Sequence, residues 1–409
     1  METLPSREEI IKEGKAELRV QRKGSMFQRV VFTVKKVTTP YGVYPMLFTD
    51  RFIDLAELVR LAEQMKLPVQ SPSGTAFPKR TTGKDFVGLI KGETLGKGEP
   101  VSNGIARKGH AKVNLFLNVH RAKPGEKFHL IETVFQMLEL HDEISVSRQG
   151  TGIAIESSDP AVPTDSRNTL YKTTQVFAEL FGIDLSVQGN GVRISIKKGI
   201  PIAGGLGGSS SCVGPMLLSL ADLFKPEGAP VKDLKRIAEK IGADATVSLI
   251  SHLDSGGGGT HYATGFGQNM EISADLPSKP VVITVPNEYY PADKKTGHLY
   301  SQIDVSDYVF LDDGKVKEMK ANLATNDWKS IATIQHNSFE TVAFRDWPNL
   351  RAIKQFMLEN GAMFSLLAGS GGTVFAIFET EKDAQQLKER LLDKKDVLQI
   401  KEVILTKTI

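Results

Sequence analysis

The chain has 409 residues, of which 40% are hydrophobic and 24% charged, and its formal net charge is +3. This length favours two or three domains over one, the composition excludes a disordered, fibrous or disulfide-stabilised protein, and the small net charge does not favour a nucleic acid partner. The single cysteine, the absence of a signal or transit-peptide pattern and the lack of an apolar run long enough to span a membrane predict a cytoplasmic protein with no membrane contact.

The first 105 residues differ in charge from the rest. They contain 17 basic and 12 acidic residues, a net charge of +5, which leaves −2 for the remainder. "RVVFTVKKV" and "YGVYPMLF" predict strands, "DLAELVRLAEQM" has apolar residues at helical spacing, and "KGETLGKGEPVSNG" is typical of a linker. We therefore expect a small α+β accessory module at residues 1–105. The positive charge of this module could attract an unknown partner, or the charged residues could simply form a solvated surface.

The rest of the chain interleaves strands and helices. Strands are predicted for "AKVNLFLNV", with Val113, Leu115 and Leu117 on one face, for "KFHLIETVFQML", for "DEISVSRQGTGIAIES", for the stretch with Val192, Ile194 and Ile196, and for "KPVVITVPN". Helices are predicted for "NTLYKTTQVFAEL", "SSCVGPMLLSLADLF", "VKDLKRIAEKIGAD", "NLRAIKQFMLENGA" and "EKDAQQLKERLLDKK". This order indicates an α+β pair of domains, which we place at residues 106–275 and 276–409.

The run "PIAGGLGGSSS" at 201–211 lies between a predicted strand and a predicted helix. Glycines let a backbone approach a ligand closely, and the first turn of a helix favours an anion. The serine hydroxyls could contact a phosphate or a Mg²⁺ ion, with Ser210 as the candidate. The run matches neither the Walker loop nor the dinucleotide-binding glycine pattern, so a phosphate loop and a tight structural turn both stay open.

Two further glycine runs carry less information. "LDSGGGGTHY" at 253–262 has no helical pattern after it and is interpreted as a mobile hairpin tip, whereas "AGSGGTVFAIF" at 368–378 leads into a strand and could approach a ligand or form a turn. The eight histidines are scattered. Their spacing does not indicate a zinc site, and no nucleophile elbow follows a strand.

Three stretches together resemble the motifs of the GHMP kinase superfamily: "HAKVNLFLNV", "PIAGGLGGSSS" and "LLAGSGGTVFAIF", in this order. Within the superfamily, "AKVNLFL", "KFHLIETVFQMLELHDEISV", "SRNTLYK" and "IGADATV" are most similar to the 4-diphosphocytidyl-2-C-methyl-D-erythritol kinases. The resemblance runs from about residue 106 to the last residue and leaves the first 105 residues outside.

The resemblance implies a ribosomal-S5-like α/β N-terminal domain and a ferredoxin-like C-terminal domain, with ATP, Mg²⁺ and a cytidyl sugar alcohol between them. It implies that Asp244 takes the proton from the substrate hydroxyl and that Lys112 offsets developing charge, a division that suits phosphoryl transfer. The alternative is that neither residue is catalytic: Lys112 would then be an exposed lysine on a strand, and Asp244 a carboxylate at a helix end or in a turn. The implied ATP-binding residues are Pro201, Gly204, Gly205, Leu206, Gly207, Gly208, Ser209, Ser210, Ser211 and Asn168.

For the acceptor, the resemblance implies contacts by Asn114, Phe128, His129, Tyr300, Gly369, Ser370 and Gly371. An aromatic ring can stack on a cytosine and a histidine can hydrogen-bond its edge, although simple core packing is the alternative for Phe128. The chain departs from the family at Cys212, which replaces an asparagine, and at Pro215, which is tolerated only in the first turn of a helix.

Two other functions stay open. One is a GHMP kinase for homoserine, mevalonate, shikimate or a sugar, and the other is an inactive relative that binds ligands or proteins. The "FHLIETVFQML" block favours a cytidyl substrate over the first, and the presence of both Lys112 and Asp244 argues against the second.

Overall fold

The computed structural model describes residues 15–21, 27–39, 42–49, 89–90, 99–101, 104–120, 129–202, 204–225, 228–272, 276–290, 295–303, 318, 321–323, 325–333 and 335–409, with side chains from residue 104 onward. The chain divides into two units, 1–85 and 86–409. No helix in these ranges is long and apolar enough to cross a bilayer.

The first unit contains a three-stranded antiparallel sheet. Its strands are β1 (Lys15–Gln21), β2 (Phe27–Thr39) and β3 (Gly42–Thr49), in that order across the sheet. Both strands expected here from the sequence are therefore present. The helix expected from "DLAELVRLAEQM" lies outside the described residues.

The second unit is built on two larger sheets and a short β ladder. Its strands are β4 (Leu89–Ile90), β5 (Glu99–Val101), β6 (Gly104–Val119), β7 (Ile131–Gln149), β8 (Ile153–Ser157), β9 (Gly191–Lys197), β10 (Ala229–Pro230), β11 (Thr260–Thr264), β12 (Asn269–Ile272), β13 (Pro280–Pro286), β14 (His336–Asn337), β15 (Phe364–Leu367), β16 (Val374–Ile377) and β17 (Ile400–Lys407).

Nine helices are described in this unit. They are α1 (Thr169–Phe181), α2 (Val213–Phe224), α3 (Val231–Ile241), α4 (Ala243–Ser255), α5 (Lys295–Gln302), α6 (Trp328–Ala332), α7 (Glu340–Asp346), α8 (Pro348–Glu359) and α9 (Glu381–Asp393).

The larger sheet has the order β12-β11-β7-β6-β14, with β5 paired to β6 and with β9 joining β8 to β7. The second sheet has the order β15-β16-β13-β17 and is antiparallel throughout. Helices α1 to α4 pack on the larger sheet around a core that includes Phe177, Leu217 and Leu234. Helices α8 and α9 cover the second sheet, so the α+β prediction is confirmed.

Strand β6 is the central element. Every residue from Ala111 to Val119 is buried, although the sequence predicted one buried face only. The reason is position: β6 lies between β7 and β14, and apolar clusters cover it from both sides. The alternation of Lys112, Asn114 and Asn118 with apolar residues therefore does not mark an exposed face, because these polar residues are buried as well.

Two local expectations were wrong. Residues 131–149 form the single strand β7 instead of parts of two strands, because its pairing with β6 extends to Met137 and, after an irregularity, resumes at His141. The glycines at 256–259 are not a hairpin tip. Gly256 has a φ of 66° and ends α4, and the chain then enters β11.

Candidate active site

Lys112 lies on β6 where the strand pairing is irregular. The register with β7 shifts between His110 and Lys112 and again between Asn114 and Phe116. Such bulges redirect side chains and are common beside functional sites. The backbone N–H of Lys112 turns away from the ladder and donates to the carbonyl oxygen of Leu206 at 3.0 Å. This bond fixes the glycine-rich loop to β6.

The ammonium of Lys112 is almost completely buried, with 9% of its side chain exposed. Its Nζ donates to Oδ1 of Asn114 at 3.0 Å and lies 3.7 Å from Oδ2 of Asp244. The ring of Phe135 lies beneath it, 5.4 Å from Nζ to the centroid. Nδ2 of Asn114 donates to Oγ1 of Thr133 at 2.7 Å, which fixes the orientation of the amide. The lysine is thus held in one direction, beside one carboxylate.

Asp244 is in the first turn of α4. The partial positive charge at this end of a helix attracts a carboxylate. Its side chain is 39% exposed, in contrast to that of Lys112. An ionised carboxylate that a ligand can reach, next to a buried ammonium, has the properties required of a general base.

The glycine-rich loop precedes α2 and has the backbone shape of an anion site. Gly205 and Gly207 have φ values of 83° and 76°, in the left-handed region that favours glycine. Within the described part of the chain, the N–H groups of Gly207, Gly208 and Ser209 donate no hydrogen bond. Consecutive unpaired amides before a helix bind phosphate well, so the residues fit the polyphosphate of a nucleotide.

The two glycine loops interlock backbone against backbone. A Cβ added at Gly205 would lie 1.9 Å from the carbonyl oxygen of Ala368, and one added at Gly371 would lie 2.3 Å from the backbone N of Gly205. Gly369 covers the lysine, since a Cβ there would lie 3.2 Å from Nζ of Lys112. The three sequence motifs therefore meet at one place, and only glycine allows the approach.

His129 and Tyr300 form a stacked aromatic pair beside this centre. Their ring centroids are 5.1 Å apart at an interplanar angle of 29°. Nδ1 of His129 donates to the carbonyl oxygen of His120 at 2.9 Å, so a neutral ring presents Nε2 as an acceptor. Burial, together with the negative charge of Asp244, raises the pKa of Tyr300 to about 12. Tyr300 therefore lies near Asp244 and stays protonated.

Comparison with known proteins agrees with this geometry. The GHMP kinases N-terminal domain matches residues 168–255, and the GHMP kinases C-terminal domain matches residues 319–396. A 4-diphosphocytidyl-2-C-methyl-D-erythritol kinase of Clostridium botulinum is 31% identical over 302 residues, which is 74% of this chain and 99% of that protein. This chain belongs to the GHMP kinase family.

Solved structures confirm the predicted GHMP kinase fold. A crystal structure of 4-(cytidine 5'-diphospho)-2C-methyl-D-erythritol kinase has a TM-score of 0.58 and 26% identity, over 74% of this chain and 99% of that one. Homoserine kinase from Cytophaga hutchinsonii has a TM-score of 0.56 and 21% identity, over 76% of this chain and 96% of that one, and so is similar in fold alone. As a GHMP kinase, the protein is an ATP-dependent kinase of an alcohol group.

For two of the remaining predicted site residues, Asn168 and Ser211, the structure gives contacts within the protein. Asn168 caps α1, since its Oδ1 accepts from the N–H of Leu170 at 2.8 Å and its Nδ2 donates to the carbonyl of Pro163. Ser211 is buried, and its hydroxyl donates to the carbonyl oxygen of Gly208 at 3.2 Å. ATP contacts by Asn168 and Ser211 stay predictions, as do those by the other loop residues. Phe128 lies outside the described residues.

The two family departures leave the helix after the loop intact. Cys212 is the N-cap of α2, and Pro215 is the third residue of the helix, within the first turn that tolerates proline. Cys212 is buried next to Gly109, where an added Cβ would lie 2.6 Å from Sγ, and burial raises the pKa of its thiol to about 12. This cysteine packs as a small apolar residue.

Sequence reasoning missed several residues around the site. Thr133 and Phe135 lie on β7, shortly after His129, and their spacing of two residues was the available signal that they share a face. Lys198 was also missed: a Cβ added at Gly208 would lie 3.4 Å from its Nζ. The alternation of Val192, Ile194 and Ile196 was the available signal, because its continuation puts Lys197 on the exposed face and Lys198 on the buried one.

Proposed function

We propose that this kinase transfers the γ-phosphoryl group of ATP to a hydroxyl of 4-(cytidine 5'-diphospho)-2-C-methyl-D-erythritol, a step in non-mevalonate isoprenoid precursor synthesis. The observation that carries the proposal is the Lys112–Asp244 pair, 3.7 Å apart, with a phosphate loop next to the lysine and an aromatic pair near the aspartate. The relative that is named a 4-diphosphocytidyl-2-C-methyl-D-erythritol kinase, 31% identical to this chain over 99% of its own length, supports this choice of acceptor.

Asp244 accepts the hydroxyl proton as the acceptor oxygen attacks, which is the role of a general base. The ammonium of Lys112 lies beside it and stabilises the charge that develops on the transferred group. Asn114 holds the lysine in place through its Oδ1 and is itself held by Thr133. Phosphoryl transfer depends chiefly on such positioning and charge stabilisation.

The phosphates of ATP lie along the loop from Gly204 to Ser210 in this proposal. The unpaired N–H groups at its centre and the start of α2 favour the negative charge. The hydroxyl of Ser210 would hold the Mg²⁺ that accompanies ATP, and that ion would neutralise part of the charge on the phosphates. Gly369, Ser370 and Gly371 lie on the other side of the bound phosphates, opposite this loop.

The cytosine stacks against Tyr300 and Phe128, and His129 accepts a hydrogen bond from its amino group. The hydrogen bond to His129 is expected because its Nδ1–H donates to the carbonyl oxygen of His120, which leaves Nε2 as the acceptor on the neutral ring.

A substrate panel tests the proposed acceptor. ADP release is measured with 4-(cytidine 5'-diphospho)-2-C-methyl-D-erythritol, homoserine, mevalonate, shikimate and a hexose at equal concentration. Activity on the cytidyl compound alone is expected. Activity on another member without this one would contradict the acceptor, and no activity on any would favour an inactive ligand-binding relative.

Replacing Tyr300 with Ala is expected to raise the KM for the cytidyl substrate about tenfold or more, because base stacking contributes about 1 to 3 kcal/mol per base. Tyr300→Phe keeps the ring and is expected to retain a KM within about twofold of wild type. Steady-state kinetics with varied acceptor and fixed saturating ATP measure both. Equal losses in the two variants would show that the hydroxyl, and not stacking, matters.

The domain limits at residues 105 and 275 and the role of the accessory module belong to the same proposal. A chain that begins at Phe86, the start of the second unit, is compared kinetically with the full chain. Unchanged kcat and KM would indicate that the module serves a partner or only solubility and not the reaction.

A further inference from the structure

Asp142 is a buried carboxylate on β7, far in the sequence from the phosphate loop that begins at Pro201. It is 1% exposed. Its Oδ1 accepts hydrogen bonds from the backbone N–H groups of Gly199 and Ile200, both at 2.8 Å, and its Oδ2 accepts one from Nζ of Lys198. One side chain therefore fixes three consecutive residues immediately before Pro201, where the phosphate loop begins.

A charge in this position is costly unless it is paired and hydrogen-bonded. Burial of an isolated carboxylate disfavours its ionised form, whereas a lysine and two backbone donors compensate for the lost water. Hydrogen bonds with an ionised partner are also stronger than neutral ones. The arrangement thus defines both the path of residues 198–200 and the direction of the lysine side chain.

The ammonium held by Asp142 reaches the phosphate loop. A Cβ added at Gly208 would lie 3.4 Å from Nζ of Lys198 and 3.2 Å from Cγ2 of Ile200. The side chain of Lys198 is 11% exposed, so it is screened by little water. An ammonium has three N–H donors, and the bond to Asp142 occupies one of them.

We infer that Asp142 is a positioning residue for ATP: it holds Lys198 against the loop at Gly208, so that the ammonium faces the bound phosphates. The inference rests on the proposed function through ATP binding only and does not depend on the acceptor. Asp142 itself touches no reacting atom.

The test is the dissociation constant of ATP, measured by calorimetry without acceptor. Asp142→Asn keeps an oxygen for the two backbone donors but loses the charge that directs Lys198. We expect the constant to rise about tenfold, the effect of misplacing one charge-assisted contact. Lys198→Met should cause about the same rise, since it removes the contact itself.

Glu143, which follows Asp142, and Lys197, which precedes Lys198, are the matched control. Their pair is also an ion pair, with Nζ 3.3 Å from Oε1, but both side chains are exposed. Surface pairs of this kind contribute little. Glu143→Gln and Lys197→Met are expected to leave the ATP constant within about twofold of wild type.

A double variant separates positioning from independent effects. Because Asp142 acts through Lys198, Asp142→Asn combined with Lys198→Met should weaken ATP binding no more than Lys198→Met alone. It also removes both buried charges, which is often tolerated, so it serves where the single Asp142 variant fails to fold.

Unchanged ATP affinity in Asp142→Asn would overturn the inference. A further loss in the double variant beyond that of Lys198→Met would do the same, and so would an equal loss of affinity for the cytidyl substrate, which indicates general damage. A wild-type chain that binds ATP but fails on the cytidyl acceptor would contradict the proposed function and leave this test standing. A wild-type chain without ATP affinity would overturn both.

Discussion

Replacing Asp244 with Asn is expected to lower kcat at least about 100-fold, the usual effect of removing a general base. Asn has nearly the shape of Asp but cannot accept the proton of the acceptor hydroxyl. The variant should still bind ATP, because Asp244 lies at the start of α4 and the phosphate loop is a separate segment before α2. Single-turnover kinetics with saturating ATP and acceptor measure the chemical step.

Asp233→Asn is the matched control for Asp244→Asn. Asp233 is the acidic residue in the first turn of α3, as Asp244 is in α4. Each change removes one favourable interaction with a helix dipole, worth about 0.3 to 1 kcal/mol of stability. We expect similar small losses of stability in both variants and a loss of kcat in one. An Asp244→Asn enzyme with normal kcat would refute the assigned base.

The second large effect is expected for Gly205→Ala. A Cβ at this position would lie 1.9 Å from the carbonyl oxygen of Ala368, and the φ of 83° is unfavourable for alanine. We expect a loss of about 3 kcal/mol or more in the free energy of unfolding, from backbone strain and overpacking combined. ATP affinity should fall as well, because the loop can relieve the contact only by leaving Ala368. Denaturant unfolding and calorimetry measure the two effects.

Gly152→Ala isolates the contribution of backbone conformation. Gly152 has a φ of 68°, and an added Cβ there would have no atom within 4 Å. Its alanine variant should lose only about 1 kcal/mol, from the left-handed conformation alone. If Gly205→Ala cost no more than this, the close approach of the two glycine loops would not matter for stability.

Much of the fold could be predicted from local patterns. The helices at 169–181, 231–241 and 381–393 follow apolar spacing in "NTLYKTTQVFAEL", "VKDLKRIAEKIGAD" and "EKDAQQLKERLLDKK". The burial of both faces of β6 could not be predicted, because the apolar clusters that cover it include residues such as Phe339 and Phe375, more than 200 residues later in the chain. Packing against a distant segment leaves no periodic signal in either one.

The site was predictable where a motif exists and not where a contact alone defines a role. Lys112, Asp244 and the two glycine loops came from the family motifs, and the structure brings them together. Lys198 and Asp142 are 56 residues apart, and each stands beside a similarly charged neighbour that is exposed. Strand alternation puts Asp142 on the face of the buried Ile144 and Val146, but the sequence does not show that this carboxylate contacts Lys198.

The pairing of β14 with β6 limits how the N-terminal and C-terminal halves of this kinase can be exchanged separately. His336 and Asn337 pair with Phe116 and Leu117, and the amide of Asn337 donates to the carbonyl oxygens of Leu367 and Gly369 at 2.8 and 2.9 Å. The strand that carries Lys112 is therefore hydrogen-bonded to the C-terminal half.

A chimera that takes its C-terminal half from another GHMP kinase must keep a matching edge for β6 as well as a matching acceptor pocket. Recombination at residue 275 would replace the acceptor pocket and, at the same time, the strand β14 that is hydrogen-bonded to the strand of Lys112. Acceptor preference in this chain should accordingly change more readily by point substitution than by the exchange of whole domains.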